Sequence, residues 1–162
     1  MHLSIIPIMT QFSLVAMGGT FDVIHIGHLA LLRQAFSISD DVIIGLTSDE
    51  LAKKKGKKIN HNYSQRFENL KKIIQSEFPG KKYTITKLDN DFGPAVLERD
   101  VQALIVSEET SHQGDALNKL RLERKSSIVK TIVVPMVLAS DGQRISSTRI
   151  RNSEIDAQGN LL

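Results

Sequence analysis

Residues 18–28 read Gly-Gly-Thr-Phe-Asp-Val-Ile-His-Ile-Gly-His, set between the apolar run Leu14-Val-Ala-Met17 and the helically spaced Leu29, Leu32 and Phe36. A short apolar run closed by glycine is the pattern of a buried strand, and apolar residues three and four apart are that of a helix, so this stretch turns a strand into a helix. His25 and His28 then stand on the first helical turn, on neighbouring parts of one face. Unpaired backbone N–H groups and the positive end of the helix dipole favour an anion there, and two imidazoles can meet one ligand. Two other readings of this stretch stay open: a turn with purely structural histidines, and a zinc site. Zinc needs further ligands, and the chain has no cysteine, while His2, His61 and His112 lie in dissimilar contexts. Neither a Walker loop nor a Gly-x-Gly-x-x-Gly fingerprint is present, so any phosphate grip is of another kind.

A second cluster lies far along the chain. The turn signal Asp141-Gly142 precedes Arg144-Ile-Ser-Ser-Thr-Arg149-Ile-Arg151, which puts three consecutive hydroxyls at a helix start. Hydroxyls and N-terminal amides can cradle phosphate oxygens while arginines supply permanently charged, bidentate donors. Simple helix capping by Ser146 or Ser147, with solvated arginines, reads the same residues equally directly.

Between the clusters the same unit repeats. Val42–Leu46 reads as a strand leading into the capping pattern Thr47-x-x-Glu50. A helix carrying Phe67, Leu70 and Ile74 follows a Ser64 cap and stops at Phe78-Pro79-Gly80. Tyr83–Leu88 is a strand, Pro94 suits a first helical turn, and Ala103–Val106 is a buried strand. Leu117, Leu120 and Arg124 mark a helix with a basic end, and Thr131–Val134 closes the series. Five short strands alternating with helices predict an α/β fold: a single doubly wound, Rossmann-like, five-stranded parallel sheet with one crevice where strand order reverses.

Lys53, Lys54, Lys55, Lys57 and Lys58 crowd around Gly56. Such a run alone reads as a solvated loop, and a nucleic-acid patch would carry interleaved aromatics that are missing here. Its place off the carboxyl end of a strand is where open α/β sheets bind ligands. With 162 residues and a net charge of +3, the chain fits one domain. It divides into an N-terminal extension over 1–12, read as flexible, a domain over 13–156 and a tail over 157–162. The apolar leader lacks a basic region and is too short to span a bilayer. Zero cysteines suit a reducing compartment, so cytoplasm is the expected location, with neither membrane nor nucleic acid as partner.

Together the two clusters resemble the signatures of the nucleotidyltransferases that transfer a nucleoside monophosphate: Gly18-Gly-Thr-Phe-Asp22 with His25-Ile-Gly-His28, and Ile145-Ser-Ser-Thr-Arg149. Gly45-Leu-Thr-Ser-Asp-Glu50, Asp91-Phe-Gly-Pro-Ala95, Val106-Ser-Glu-Glu-Thr110 and Ile145–Arg151 are similar to the archaeal and eukaryotic type of phosphopantetheine adenylyltransferase. The resemblance covers about residues 14–156. It implies a nucleotidyltransferase-type fold and attack of the phosphate of 4′-phosphopantetheine on the α-phosphorus of ATP, taken with Mg2+, giving dephospho-coenzyme A and pyrophosphate. It further implies His28 as donor to the α-phosphate and His25 on the neighbouring phosphates, with Gly18, Gly19, Thr20 and Phe21 in the ATP site. Ser146, Ser147, Thr148 and Arg149 are implied to hold the β and γ phosphates, and Thr20 with one or more of Lys53, Lys54 and Lys55 the acceptor phosphate, Lys57 and Lys58 ranking behind them. Asp22 would orient the histidine turn, reach magnesium through water, or cap a turn. The bacterial branch has an arginine-rich segment after its fourth strand, which Ser107-Glu-Glu-Thr110 replaces here. Asn118, Arg121 and Arg124 are candidates for polar contacts in its stead, surface roles being open to them as well. The implied assembly is a monomer or small homo-oligomer. A sister transferase acting on FMN, nicotinamide mononucleotide or glycerol phosphate, and a noncatalytic basic nucleic-acid binder, are the competing readings.

Overall fold

The computed structural model describes residues 10–93, 97 and 99–162. Most of the expected N-terminal extension, and Pro94 with its expected helical turn, lie outside the described residues. In chain order the elements are β1 (Phe12–Gly19), α1 (Ile26–Ile38), β2 (Ser39–Thr47), α2 (Asp49–Lys54), α3 (Tyr63–Glu77), β3 (Lys82–Leu88), β4 (Ala103–Ser107), a 3-10 turn at Glu108–Thr110, α4 (Gln113–Glu123), β5 (Lys130–Val134) and α5 (Ser147–Arg151). Every strand pair is parallel, in the order β3-β2-β1-β4-β5. This is the predicted doubly wound sheet. After β3 the chain returns to the other side of β1, so the reversal of strand order lies between β1 and β4, and Gly18–Gly19 ends the strand beside it.

Alternation along the central strands divides their side chains between two cores. On one face Val15, Met17, Val42, Ile44 and Leu46 pack with Leu32, Ala35 and Phe36 of α1 and Leu70 and Ile74 of α3. On the other, Leu14, Ala16, Ile43, Leu104 and Val106 pack with Leu117 of α4. Covered on both sides, these strands read in sequence as nearly unbroken apolar runs. Each fully buried leucine or isoleucine contributes roughly 1.5–3 kcal/mol. A third, smaller cluster of Ala139, Ile145 and Ile155 takes in Ile26 and Ile150, and so fastens the last helix against the start of α1.

Helix starts differ by a residue or two from the sequence reading. Ser48, rather than Thr47, caps α2 by accepting the Leu51 N–H at 3.0 Å, while the Thr47 hydroxyl donates to Gly19 O at 3.1 Å. Asn62, rather than Ser64, caps α3 in a reciprocal box with Gln65. At the other end of α2, Gly56 takes a φ of 73°, Lys57 N bonds Ala52 O and Gly56 N bonds Lys53 O, both at 3.0 Å. That Schellman turn reverses the lysine run. Asn118 and Arg121, candidates for ligand contacts, are structural instead. The Asn118 amide pairs with both main-chain groups of Val129, and Arg121, 1% exposed, donates to Ser127 O and Arg99 O. No helix among the described residues is long and apolar enough to cross a membrane.

Candidate active site

The histidine turn is built by the histidines themselves. His25 is the N-cap of α1: its Nδ1 accepts the Gly27 N–H at 3.0 Å, and the Nδ1 of His28 accepts the His25 N–H at 3.1 Å. A ring nitrogen that accepts carries no proton, so each neutral imidazole bears its hydrogen on Nε2. Among the described residues neither Nε2 has a hydrogen-bond partner. The rings stack at 3.9 Å between centroids. Burial lowers the pKa of His25 to about 4; burial, then the neighbouring His25 and Lys57 charges, lowers that of His28 to about 3. Both rings are therefore neutral N–H donors at physiological pH.

Gly27 is required between them, because a Cβ there would lie 2.8 Å from Cε1 of His25. The expectation of free helix-end amides is corrected: the Ile26 N–H donates to Ala157 O at 3.1 Å and the Gly27 N–H is taken by His25, so the imidazoles replace the first amides as donors. Phe21, grouped in the sequence with the ATP contacts, is 1% exposed. At a φ of 50° it folds back beneath the turn, its ring 4.9 Å from that of His28. Phe21 is thus a prop under the catalytic candidate, with no surface to offer a nucleotide.

The terminal hydroxyl helix adjoins this turn. The Ser147 hydroxyl donates to Val23 O at 3.1 Å across 124 residues of chain. Ser146 Oγ caps α5 by accepting the Arg149 N–H, and Thr148 Oγ1 accepts from Arg151 at 3.3 Å. Arg149 is engaged at all three guanidinium nitrogens, by Asp141, Glu154 and Arg144 O. Arg144 pairs with Glu109, and Arg151 with Asp22 at 2.8 Å. The arginines of this segment are thus carboxylate-paired braces.

Of the lysines, the one brought to the turn is Lys57, whose Nζ donates to Thr20 Oγ1 at 3.0 Å. Desolvation there, and the charge of Lys55, lower its pKa. Lys53 and Lys54 are exposed on the last turn of α2, and Lys55 pairs with Asp91 at 2.5 Å. The Schellman turn accounts for the difference, since it reverses the chain after Gly56 and so aims the Lys57 ammonium, on a residue still exposed, at Thr20.

Beside Gly18, at the carboxyl edge of the sheet, opens a small cleft lined by Ile43, Leu88, Phe92, Asp91 and Gln113 among others. Gly18 and Gly45 face each other in register. A Cβ at Gly45 would meet Leu88 Cδ1 at 2.7 Å, so glycine at this register position lets Leu88 close the cleft floor.

Two residues underlie this assembly. Asp22, 4% exposed, accepts from Asn60 N, His61 N and Arg151. Its burial alone would raise the pKa, and those hydrogen bonds with the Arg151 charge outweigh it to hold the carboxylate low. Asp22 thus braces the lysine loop and the last helix rather than the histidine turn. Arg66, with 0% exposure, donates to His61 O, Thr20 O, Thr47 O and Asp49. Sequence reasoning missed it. Its signal was its spacing, four residues before Leu70 and eight before Ile74, which puts it on the buried stripe of α3. Among the described residues no group of three or more histidine and carboxylate side chains could hold a metal ion.

The pattern of the cytidylyltransferase-like family matches residues 16–153. The phosphopantetheine adenylyltransferase of Methanothermobacter thermautotrophicus is 40% identical over 152 residues, covering 94% of this chain and 91% of its own. That of Methanosarcina barkeri is 42% identical over 149 residues, 91% of each chain. A solved structure from Archaeoglobus fulgidus, of a protein described as of unknown function, superposes with a TM-score of 0.67 at 29% identity, over 75% of this chain and 88% of that one. Because the family pattern runs from β1 through the histidine turn to the hydroxyl helix, and relatives at 40% and 42% identity cover 94% and 91% of the chain, the chain belongs to the cytidylyltransferase-like family and, within it, to the phosphopantetheine adenylyltransferases.

Proposed function

We propose that this protein transfers the adenylyl group of ATP to the phosphate of 4′-phosphopantetheine, forming dephospho-coenzyme A and releasing pyrophosphate. The observation that carries the reading is the meeting of the histidine turn and the hydroxyl helix at Ser147 and Val23, 3.1 Å apart, with Lys57 at Thr20 beside them. Relatives named for this reaction support it. An acceptor phosphate oxygen attacks the α-phosphorus, the new P–O bond forms opposite the oxygen that bridges the α and β phosphates, and the bond from the α-phosphorus to that bridging oxygen breaks with its electrons passing to pyrophosphate. A phosphate nucleophile is already ionised, so no general base is needed, and the chain contributes positioning and charge stabilisation.

In this reading His28 gives its Nε2–H to the α-phosphate as charge builds there, and His25 gives its own to the next phosphate. Neutral rings suit the task, because an unprotonated Nδ1 can accept the backbone N–H that fixes each ring while Nε2–H stays available to donate. Lys57 and the Thr20 hydroxyl receive the acceptor phosphate, with Gly18 and Gly19 clearing the approach and the cleft beside Gly18 taking the pantetheine arm. Ser146, Ser147 and Thr148 face the β and γ phosphates, and Arg149 supports them from behind through the Asp141 loop. ATP is the substrate as its Mg2+ complex. The test is product identity. Incubation with Mg–ATP and, separately, phosphopantetheine, FMN, nicotinamide mononucleotide or glycerol phosphate is expected to give pyrophosphate and an adenylylated product with phosphopantetheine only. Turnover of another acceptor in its place would overturn the reading.

A further inference from the structure

We propose that Asp22 and Arg151 are a positioning pair for this reaction, holding the donor-phosphate helix and the acceptor lysine loop in one register without touching either substrate. The proposal rests on the function inferred above. Asp22 lies two residues after Thr20 and three before His25, and its carboxylate joins two separate parts of the chain. The Asn60 N–H is shared between both oxygens at 3.0 Å, Oδ1 also accepts the His61 N–H at 3.0 Å, and the His61 ring is 3.2 Å away. Oδ2 accepts from Arg151 at 2.8 Å. Asn60 follows Lys57 by three residues, so the first group fixes the loop that delivers the ammonium to Thr20. Arg151 passes the link onward, its other terminal nitrogen donating to Thr148 Oγ1 at 3.3 Å. With a lone pair so occupied, the Thr148 hydroxyl has its proton free for a phosphate oxygen.

Both ends of this pair have other ties to the fold. Arg66 already ties the same loop to the β1 turn through His61 O and Thr20 O, and Ile145, Ile150 and Ile155 anchor the last helix in their own apolar cluster. A largely buried ion pair adds little net stability over an apolar pair once desolvation is counted, although removing one partner alone leaves the other's charge uncompensated, which is why melting temperature is read beside kcat. What only the pair supplies is the link between Thr148 on one side and the Lys57 loop on the other.

The experiment measures kcat, both KM values and the melting temperature for Arg151→Met, Arg151→Lys, Asp22→Asn and the double variant Asp22→Asn/Arg151→Met. Arg151→Met is expected to stay folded and to lose on the order of 100-fold in kcat. Arg151→Lys should restore part of that loss, and the double variant should be no worse than the poorer single one. If Asp22→Asn fails to fold, the two Arg151 variants carry the test. Wild-type kcat in folded Arg151→Met, or losses that multiply in the double variant, would overturn the proposal. Should the wild type make no dephospho-coenzyme A, the functional reading fails separately, and the pair is tested by titration with α,β-methylene-ATP. There Arg151→Met is expected to weaken binding about tenfold, and unchanged affinity would refute it.

Discussion

Replacing His28 separates two jobs that one imidazole performs. Its Nδ1 receives the His25 N–H at 3.1 Å, a helix-capping contact, and its Nε2–H is the donor assigned to the α-phosphate. His28→Ala removes both. Loss of a preorganised donor in a site of this type costs about 2.7–4 kcal/mol of transition-state stabilisation, or roughly 100- to 1,000-fold in kcat. Loss of a cap costs about 1 kcal/mol of stability, which for a chain of this size lowers the melting temperature by about 2–4 °C. His28→Asn keeps an acceptor oxygen for the His25 N–H and lacks the Nε2–H. It is therefore expected to melt close to the wild type while losing activity as severely as alanine. Steady-state pyrophosphate release, measured beside thermal melts of the three proteins, distinguishes the two jobs. If His28→Asn turned over at the wild-type rate, the assignment of Nε2 as the α-phosphate donor would be wrong.

Gly27→Ala is expected to raise the intrinsic helix propensity of α1 by about 1 kcal/mol yet cut kcat on the order of 100-fold, because the added methyl displaces the His25 ring; full activity would show that ring position is immaterial. Lys57→Ala should raise the KM for phosphopantetheine by about 10- to 100-fold through loss of a charge-assisted contact, whereas Lys53→Ala and Lys54→Ala leave it nearly unchanged; equal effects at the three positions would contradict the placement of Lys57. With native pKa values of about 4 and 3 against 6.5 in the unfolded chain, the two histidines are protonated first in the unfolded state, so their stabilising effect is complete above about pH 6.5 and lost as pH falls below it. By pH 5.5 the pair is expected to cost roughly 2 kcal/mol after discounting for partial exposure, seen in urea unfolding at pH 7.5 and 5.5; the same loss in His25→Gln/His28→Asn would assign it elsewhere.

The central strands β1, β2 and β4 were legible because they are buried on both faces and so appear as apolar runs. The strand order was not, since nothing in the residues of β4 says on which side of β1 it will lie. Motif residues were legible as types. Which lysine reaches Thr20 was decided by the left-handed Gly56 and its Schellman bonds, a geometric consequence visible only once α2 was known to end at Lys54. Arg66 was hidden because a charged residue on a helix is ordinarily taken for solvent surface, and its burial depends on carbonyls of Thr20, Thr47 and His61 that converge only in the fold. At the start of α1 the imidazoles were legible as ligand groups, whereas the occupation of the first amides was not. Ala157, from a segment taken as a tail, occupies the Ile26 N–H, and His25 occupies the next.

The central claim is that His25 and His28 present neutral Nε2–H groups to a nucleotide phosphate. Long-range 1H–15N spectra of histidine-labelled protein near pH 7, recorded with and without Mg–α,β-methylene-ATP, test it directly. Both residues should appear as Nε2–H tautomers in the free protein, and both should shift on nucleotide addition. Imidazolium or Nδ1–H forms, or signals that nucleotide leaves untouched, would contradict the account.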